Sequence, residues 1–356
     1  MTVPTPASQI LVVDDVLFDE HRSRGYHPER PERLAAARAA VERCVSEGLT
    51  TRRITARDAT DEELTAVHSP GYLENLAKLA GHHAALDPDT YLAPNSVAAA
   101  RRAAGASAAL VDALLDLPAD GCPPPALALL RPPGHHAKRE RGMGFCILNN
   151  VAVAAARALA RGLSRVAIID WDVHHGNGTQ DIFWNDPRVL YVSLHQFPYY
   201  PGTGAVGETG EGDGRGYTVN VPLSAGAGDA VYEAAFTRIV LPLLESYAPE
   251  LLLVSAGFDA HERDPLADMR VSDAGYSAMS TLVSRAAQGS AGGKLAFFLE
   301  GGYDLAALDS SLAATLRAAV DTASGPQGRS AAPMSYRHED ELNRARKTAA
   351  ERWRGL

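Results

Sequence analysis

From Ala126 onward the chain alternates short, unbroken apolar runs with longer stretches of helical composition, and this alternation restricts its fold more than any other feature. Strands covered by helices on both faces read as continuous Val, Ile, Leu and Ala runs, whereas strands with one wet face alternate apolar and polar residues. The runs at 126–130, 166–170, 189–194, 251–255 and 294–299 are of the first kind, and 151–161, 230–246 and 273–287 supply helices between them. Upstream, 10–16 is a further strand candidate leading into a polar loop at 19–31. Segments 32–47, 61–79 (one or two helices, bounded by Pro70 and Gly71) and the alanine-rich 97–117 have helical composition. The expectation is an α/β fold around a central parallel sheet.

An open parallel sheet binds ligands in the crevice beyond the carboxyl ends of its strands, so the residue types just after each run matter most. Four of the five runs are followed by reactive side chains. RPPGHHAKRERGMGFC carries His135 and His136, WDVHHGNGTQ carries Asp172, His174 and His175, AGFDAHERDP carries Asp259, and EGGY carries Tyr303. Residues two apart on extended chain share a face, so Asp172 and His174 point the same way and Asp259 could complete a set of two carboxylates and one imidazole. Three such ligands suit a catalytic zinc that keeps one position open. The ion would polarise a carbonyl and acidify a water, leaving proton transfer to a group that titrates near neutrality, for which His135 and His136 are the candidates. Asp170 shares the face of Asp172 and could hold one of these histidines by its second nitrogen. Two glycines before Tyr303 allow a sharp turn that would aim its hydroxyl at a developing oxyanion. Together these parts make an amidase.

Each part has a plainer reading. Asp172 could cap a helix, Asp259 could cap a turn, and Tyr303 could be an ordinary half-buried tyrosine. The chain also holds a control, the pair His82 and His83, which lies in alanine-rich sequence of helical context with no strand end nearby and is expected to be solvated surface. What distinguishes the other motifs is their recurrence at successive strand ends. His175 should face away from His174 and pack or support, and His261 is expected on the rim.

The composition removes other classes. A net charge of −9 supplies no basic field for nucleic acid or an anionic membrane. The three cysteines, Cys44, Cys122 and Cys146, form no CxxC pair, so neither a disulfide framework nor a thiolate zinc site is encoded. No run of 18 apolar residues occurs, and residues 1–9 lack a basic segment followed by an apolar one, which leads to the expectation of a soluble, cytoplasmic protein. Residues 1–322 are expected to form a single catalytic domain. A Gly, Ser and Pro-rich linker at 323–333 should precede a charged helix running to about Leu356, packed on the same domain or on a second subunit.

Taken together, RPPGHHA, GFC, DWDVHHGNGTQ, YVSLHQ, PGTG, VSAGFDAH, DPL and EGGY resemble the histone deacetylase family, in particular its class II branch and the related bacterial deacetylases and acetylpolyamine amidohydrolases. The similarity runs from about Val13 to Leu316. It implies the three-layer arginase and deacetylase type of fold. It also implies one zinc per chain on Asp172, His174 and Asp259, the dyad His135 and His136 with His136 as general base and acid, and Tyr303 as stabiliser of the intermediate. Phe145 and Tyr200 would wall a narrow tunnel for a linear alkylamine, Gly144 would line its floor, and Asp89 would hold the substrate backbone at the rim. Structural potassium is implied at Asp170, Asp172, His174, Ser193 and Leu194, with a second site around Phe183, Asp186, Val189 and Tyr217. Asn177 stands where class I enzymes have an aspartate, so His136 should be the less basic for it. Tyr200 stands where relatives usually have phenylalanine, with Phe197 and Tyr199 as neighbouring alternatives for that wall.

The substrate expected is an N-acetylated amine, either acetyl-lysine in a protein or peptide or an acetylated polyamine. Leu266 occupies a point where polyamine-selective relatives carry an acidic gatekeeper, which favours acyl-lysine. Glu208, Glu211 and Asp213, in the glycine-rich segment 202–216 that reads as a surface excursion, would favour a polycation if they stood near the mouth. Two further readings are a two-metal ureohydrolase like arginase, which needs extra aspartates where this chain has Gly176 and Gly257, and a noncatalytic module that binds acylated groups.

Overall fold

The computed structural model describes residues 9–118, 121–321 and 334–356. The linker read at 323–333 and nearly all of the N-terminal segment lie outside the described residues. Among the described residues ten strands occur: β1 (Gln9–Val13), β2 (Thr50–Ile54), β3 (Ala84–Asp87), β4 (Thr90–Leu92), β5 (Ala126–Ala128), β6 (Val166–Asp170), β7 (Val189–Gln196), β8 (Thr218–Leu223), β9 (Leu251–Ala256) and β10 (Leu295–Leu299). Eight form one sheet in the order β2-β1-β5-β10-β9-β6-β7-β8, and β3 with β4 makes a separate hairpin. Every neighbouring pair in the large sheet is parallel. With helices on its faces this is the α/β architecture the apolar runs imply.

The four strands β5, β10, β9 and β6 are consecutive neighbours, and every residue of each is buried. They are the runs after which the reactive motifs come. Helices Glu32–Ser46, Ser96–Leu115, Asn150–Ala160, Asp273–Ser290 and Leu305–Val320 cover the sheet. Local chemistry sets their limits. Segment 61–79 divides into two helices because Thr60 and Glu63 form a capping box ahead of Asp61–Thr65, and Ser69 caps the second, Pro70–Leu79, with Pro70 in its first turn. The helical stretch at 230–246 is interrupted by a π-helical turn, Phe236–Val240, before Leu241–Tyr247.

Some expectations need correction. The run at 10–16 is strand only to Val13, because Asp15 accepts from the Leu17 amide and starts a short 3₁₀ turn, Val16–Glu20. β2 was not foreseen: TTRRI is exposed along nearly its whole length and takes its place through backbone pairing with β1 at the sheet edge. At the opposite edge β8 carries Asn220 and Pro222, which an edge strand tolerates. Helix Tyr336–Ala350, which ends short of the expected limit near Leu356, covers β8 with buried Leu342, Ala345 and Ala349, and Trp353 is buried just beyond it; Glu341 accepts from the Ser224 amide at 3.0 Å. Among the described residues no helix is long and apolar enough to cross a membrane.

Candidate active site

Beyond the carboxyl end of β6 the chain turns at once, so that Asp172 and His174 both face inward; the His174 amide donates to Asp172 Oδ1 at 2.9 Å. Asp259, three residues past β9, lies beside them and accepts from the Val173 amide at 2.9 Å. The ligand atoms of Asp172, His174 and Asp259 lie within 4.8 Å of one another and are buried. His174 Nδ1 is 3.3 Å from Asp172 and 3.2 Å from Asp259.

The charges at this point call for a cation. Burial and the charge of Asp172 push the Asp259 carboxyl up from its ordinary range. Burial opposes ionisation of Asp172 too, but the charge of His135 and the hydrogen bond of His174 hold that carboxyl below its ordinary value. Burial alone would lower His174, yet its bonds to the two carboxylates raise it to about 10. Two buried carboxylates therefore draw positive charge onto whatever sits between them. The surrounding backbone leaves room for it: a Cβ at Gly301 would collide with both carboxylates, and one at Gly257 with that of Asp172. Two carboxylates and one imidazole of this spacing fit a single divalent ion of the zinc kind.

The dyad stands beside this cluster on the loop after β5. Glu300, at the end of β10, accepts from the Gly134 and His135 amides at 2.7 and 3.2 Å and so fixes that loop to the neighbouring strand. The two rings are 4.1 Å apart but have different partners. His135 Nδ1 lies 3.1 Å from Asp170 Oδ2, and despite burial the charges of Asp172 and Asp170 raise its pKa to about 10. His136 Nδ1 lies 2.8 Å from Asn177 Oδ1, while the Asn177 amide group donates to Met143 Sδ. Burial and the neighbouring charges of His135 and His174 hold His136 well below the ordinary histidine range. With its oxygen turned to the ring, Asn177 takes a hydrogen bond from Nδ1–H and leaves Nε2 as the basic nitrogen.

Tyr303 follows the turn after β10. Arg33 donates to the carbonyls of Gly302 and Glu300, and its guanidinium lies 4.8 Å from the Tyr303 ring centroid. A narrow cavity of about 90 Å³ leads to this point, lined by His135, His136, Gly144, Phe145, Cys146, His174, Tyr200, Leu266 and Tyr303, with Asp89 at its edge. Phe145 has a φ of 69°, a left-handed conformation that costs a non-glycine residue energy; the Thr90 hydroxyl accepts from its amide at 3.0 Å. Its ring is 5.8 Å from that of Tyr303 and 4.7 Å from that of His27. Tyr200 lies edge-on to His136 at 5.2 Å. Tyr199 instead stacks on His174 at 5.8 Å and donates to the Leu266 carbonyl at 3.0 Å, and Phe197 packs near His195.

Other sequence readings have mixed outcomes. Glu208 is not at the mouth: it accepts from Gln180 at 2.6 Å and from the Gly204 and Ala205 amides, pinning the glycine-rich loop. Asp213 lines a separate cavity of about 690 Å³ between that loop, β8 and the C-terminal helix, and Glu211 is exposed in the same loop. His261 is only 4% exposed, with Nε2 3.5 Å from Asp273, so it is not a rim residue. His175 is buried between Thr203 and Gln180. His82 and His83 are exposed, but in the turn after Pro70–Leu79 rather than in a helix. Asp170 and Ser193 pair in register on β6 and β7, with Leu194 next in line. The carbonyls of Phe183, Asp186 and Tyr217 already accept backbone bonds from Asp186, Val189 and Tyr191. Extra aspartates have no space, since a Cβ at Gly176 would run into Asp170 and one at Gly257 into Asp172. Sequence reasoning missed the roles of Glu300 and Arg33, and offered Tyr199 only as an alternative for the wall. Glu300 stands in the EGGY motif and could have been read, whereas Arg33 reaches a turn 269 residues away and leaves no local signal.

The description "Histone deacetylase domain" matches residues 27–319. The chain is 42% identical over 299 residues to Histone deacetylase 15 of Arabidopsis thaliana, covering 82% of this chain and 52% of that protein. It is 40% identical over 349 residues to a protein of Homo sapiens called polyamine deacetylase HDAC10, covering 92% of this chain and 50% of that one. The chain thus spans about half the length of these curated relatives. The crystal structure of the HDA15 HD domain superimposes with a TM-score of 0.87 at 37% identity, covering 97% of this chain and 96% of that one.

Proposed function

Because the chain belongs to the histone deacetylase family, we propose that it is a metal-dependent deacetylase hydrolysing N-acetylated amines, with acetyl-lysine in a peptide or protein as its preferred substrate. The observation that carries this reading is convergence: four neighbouring strand ends bring a three-ligand cluster, two histidines and a tyrosine to one narrow cavity. Asp172, His174 and Asp259 would hold one divalent ion, which when bound supplies polarisation of the acyl carbonyl and acidification of a water. His136 takes a proton from the attacking water at Nε2 and returns it to the departing amine nitrogen as the amide C–N bond breaks. Asn177 keeps the tautomer that this requires. His135, held by Asp170, adds positive charge next to the developing oxyanion, and Tyr303 donates a hydrogen bond to it. Phe145 and Tyr200 exclude water along the alkyl chain, and Asp89, exposed at the edge, would receive a backbone amide of the substrate.

The choice of acyl-lysine rests on Leu266, which offers no charge to a second ammonium, and on the acidic residues of the glycine-rich loop lying away from the mouth. The acetylpolyamine reading stands second, favoured by the name of the human relative. Steady-state kinetics of the metal-reconstituted protein on acetylated peptides and acetylpolyamines decides between them: faster peptide turnover is expected, and a large polyamine preference reverses the choice. No turnover of either substrate by protein loaded with one metal per chain would instead leave a binding module. The potassium sites rest on carbonyls that keep a second lone pair; a melting temperature higher in potassium than in sodium tests them.

A further inference from the structure

Asp264, in the RDPLAD segment, belongs neither to the candidate metal ligands nor to the residues lining the cavity, yet it is only 6% exposed and both its carboxylate oxygens accept hydrogen bonds. Oδ2 accepts from the amides of Tyr303 at 2.6 Å and Asp304 at 3.1 Å. Oδ1 accepts from the amide of Leu266 at 3.0 Å. One side chain therefore grips the turn that carries the candidate oxyanion donor and the loop that carries the candidate gatekeeper. Each segment has a second anchor on its other side: Arg33 holds the carbonyls around Gly302, and the Tyr199 hydroxyl holds the carbonyl of Leu266. Asp304 is in turn the cap of helix Leu305–Val320, so the Tyr303 turn cannot tilt without disturbing that helix or breaking the bonds to Asp264.

We propose that Asp264 is a positioning residue that joins the Tyr303 turn and the Leu266 wall into one unit, so that an alkyl chain seated against Leu266 fixes where the Tyr303 hydroxyl stands. The proposal rests on the deacetylase reading for its consequence and on geometry alone for the coupling. A displacement of about 1 Å at a reacting group costs on the order of a hundredfold in rate. A shared buried anchor for both segments makes substrate fit and hydroxyl placement one event.

Two substitutions separate the arms. In Asp264→Asn a single oxygen remains, and it best serves the two amides of Tyr303 and Asp304, leaving the amide group against the Leu266 N–H. Discrimination between N-acetylated amines with short and long alkyl chains should fall by roughly tenfold, mostly in KM, with a loss of kcat below about tenfold. In Asp264→Ala both arms are free, and kcat should fall about a hundredfold while one metal per chain is retained. Hydrogen exchange read on peptides covering 262–268 and 300–306 provides a signal independent of turnover. The first peptide alone should lose protection in the Asn variant, both should lose it in the Ala variant, and the β6 and β9 peptides should stay protected. If wild-type protein fails to turn over substrate, the deacetylase reading falls, and the exchange data still decide the coupling. If Asp264→Ala keeps kcat within threefold, or if the 262–268 and 300–306 peptides exchange as in wild type, the proposal is wrong.

Discussion

The floor of the cavity and its wall are built by different rules. On the floor, Asp172, Asp259, His135 and His136 are each less than 5% exposed and leave strands buried on both faces. Asp172 and Asp259 stand just past the ends of the parallel ladder, His135 and His136 on a loop that Glu300 pins to it, and each is then held by at least one buried partner. On the wall, Asp89 is exposed, Tyr200 is 37% exposed and Leu266 is half-buried. These residues come from a hairpin turn and from long loops. Under the proposed function the division separates chemistry, placed close to the ends of buried strands, from substrate choice, placed where sequence can vary without cost to the core.

The division predicts a ranking of effects. Asp259→Asn should be the most damaging change, because it removes one of the two charges that attract the ion. Metal content measured by elemental analysis should drop below one per chain, and turnover should fall on the order of 10⁴-fold or more. A variant that keeps both its metal and its rate would remove Asp259 from the floor. Tyr303→Phe comes next, with loss of a single donor to a developing oxyanion lowering kcat by roughly 10²- to 10³-fold and leaving metal content unchanged. A rate equal to wild type would show that the hydroxyl has no such role.

A wall substitution should redirect the enzyme rather than disable it. Leu266→Glu places a carboxylate at the cavity mouth, where it would pair with the second ammonium of a polyamine and repel acidic peptides. The ratio of kcat/KM for an acetylpolyamine to that for an acetylated peptide should rise about tenfold, with metal content intact. A collapse of turnover on both substrates would mean that wall and floor are not separable, and that Leu266 acts on Tyr303 even more tightly than their shared anchor at Asp264 suggests.

The same division explains what could be read from the sequence. The floor was legible because a strand covered on both faces leaves an unbroken apolar run, and the residues just past its end must stand at the rim of the sheet. Asp172, His174, Asp259, His135, His136 and Tyr303 all meet in one cavity or its adjoining cluster for that reason. The edges were not legible: Thr50–Ile54 has almost no apolar residue, since this edge strand is held by backbone bonds to β1 rather than by burial of its side chains. Nor was the support of the floor. Glu29, buried between Arg131, Arg33 and His21, and Asp264, between Leu266 and Tyr303, are charged residues in loops that look like surface, and only long-range folding gives them partners. The acidic residues at 208, 211 and 213 show the converse error, because charge in a glycine-rich loop suggests the mouth while Glu208 in fact closes the loop on itself.

The smallest effect tests the premise behind the ranking, that an imidazole pair gains significance from its place in the fold and not from being a pair. His82 and His83 match His135 and His136 as a dipeptide, but they sit exposed in the turn after Pro70–Leu79, ahead of the short hairpin strand β3 and away from the carboxyl ends of the main sheet. Neither has the buried carboxylate or amide partner that orients the other two rings. Replacing both by alanine should leave kcat/KM within about twofold and stability within about 0.5 kcal/mol, as for an ordinary surface change. His136→Ala, measured in the same assay, should lose several orders of magnitude. If the surface pair proved as damaging as the buried one, position at a strand end would no longer account for which histidines matter.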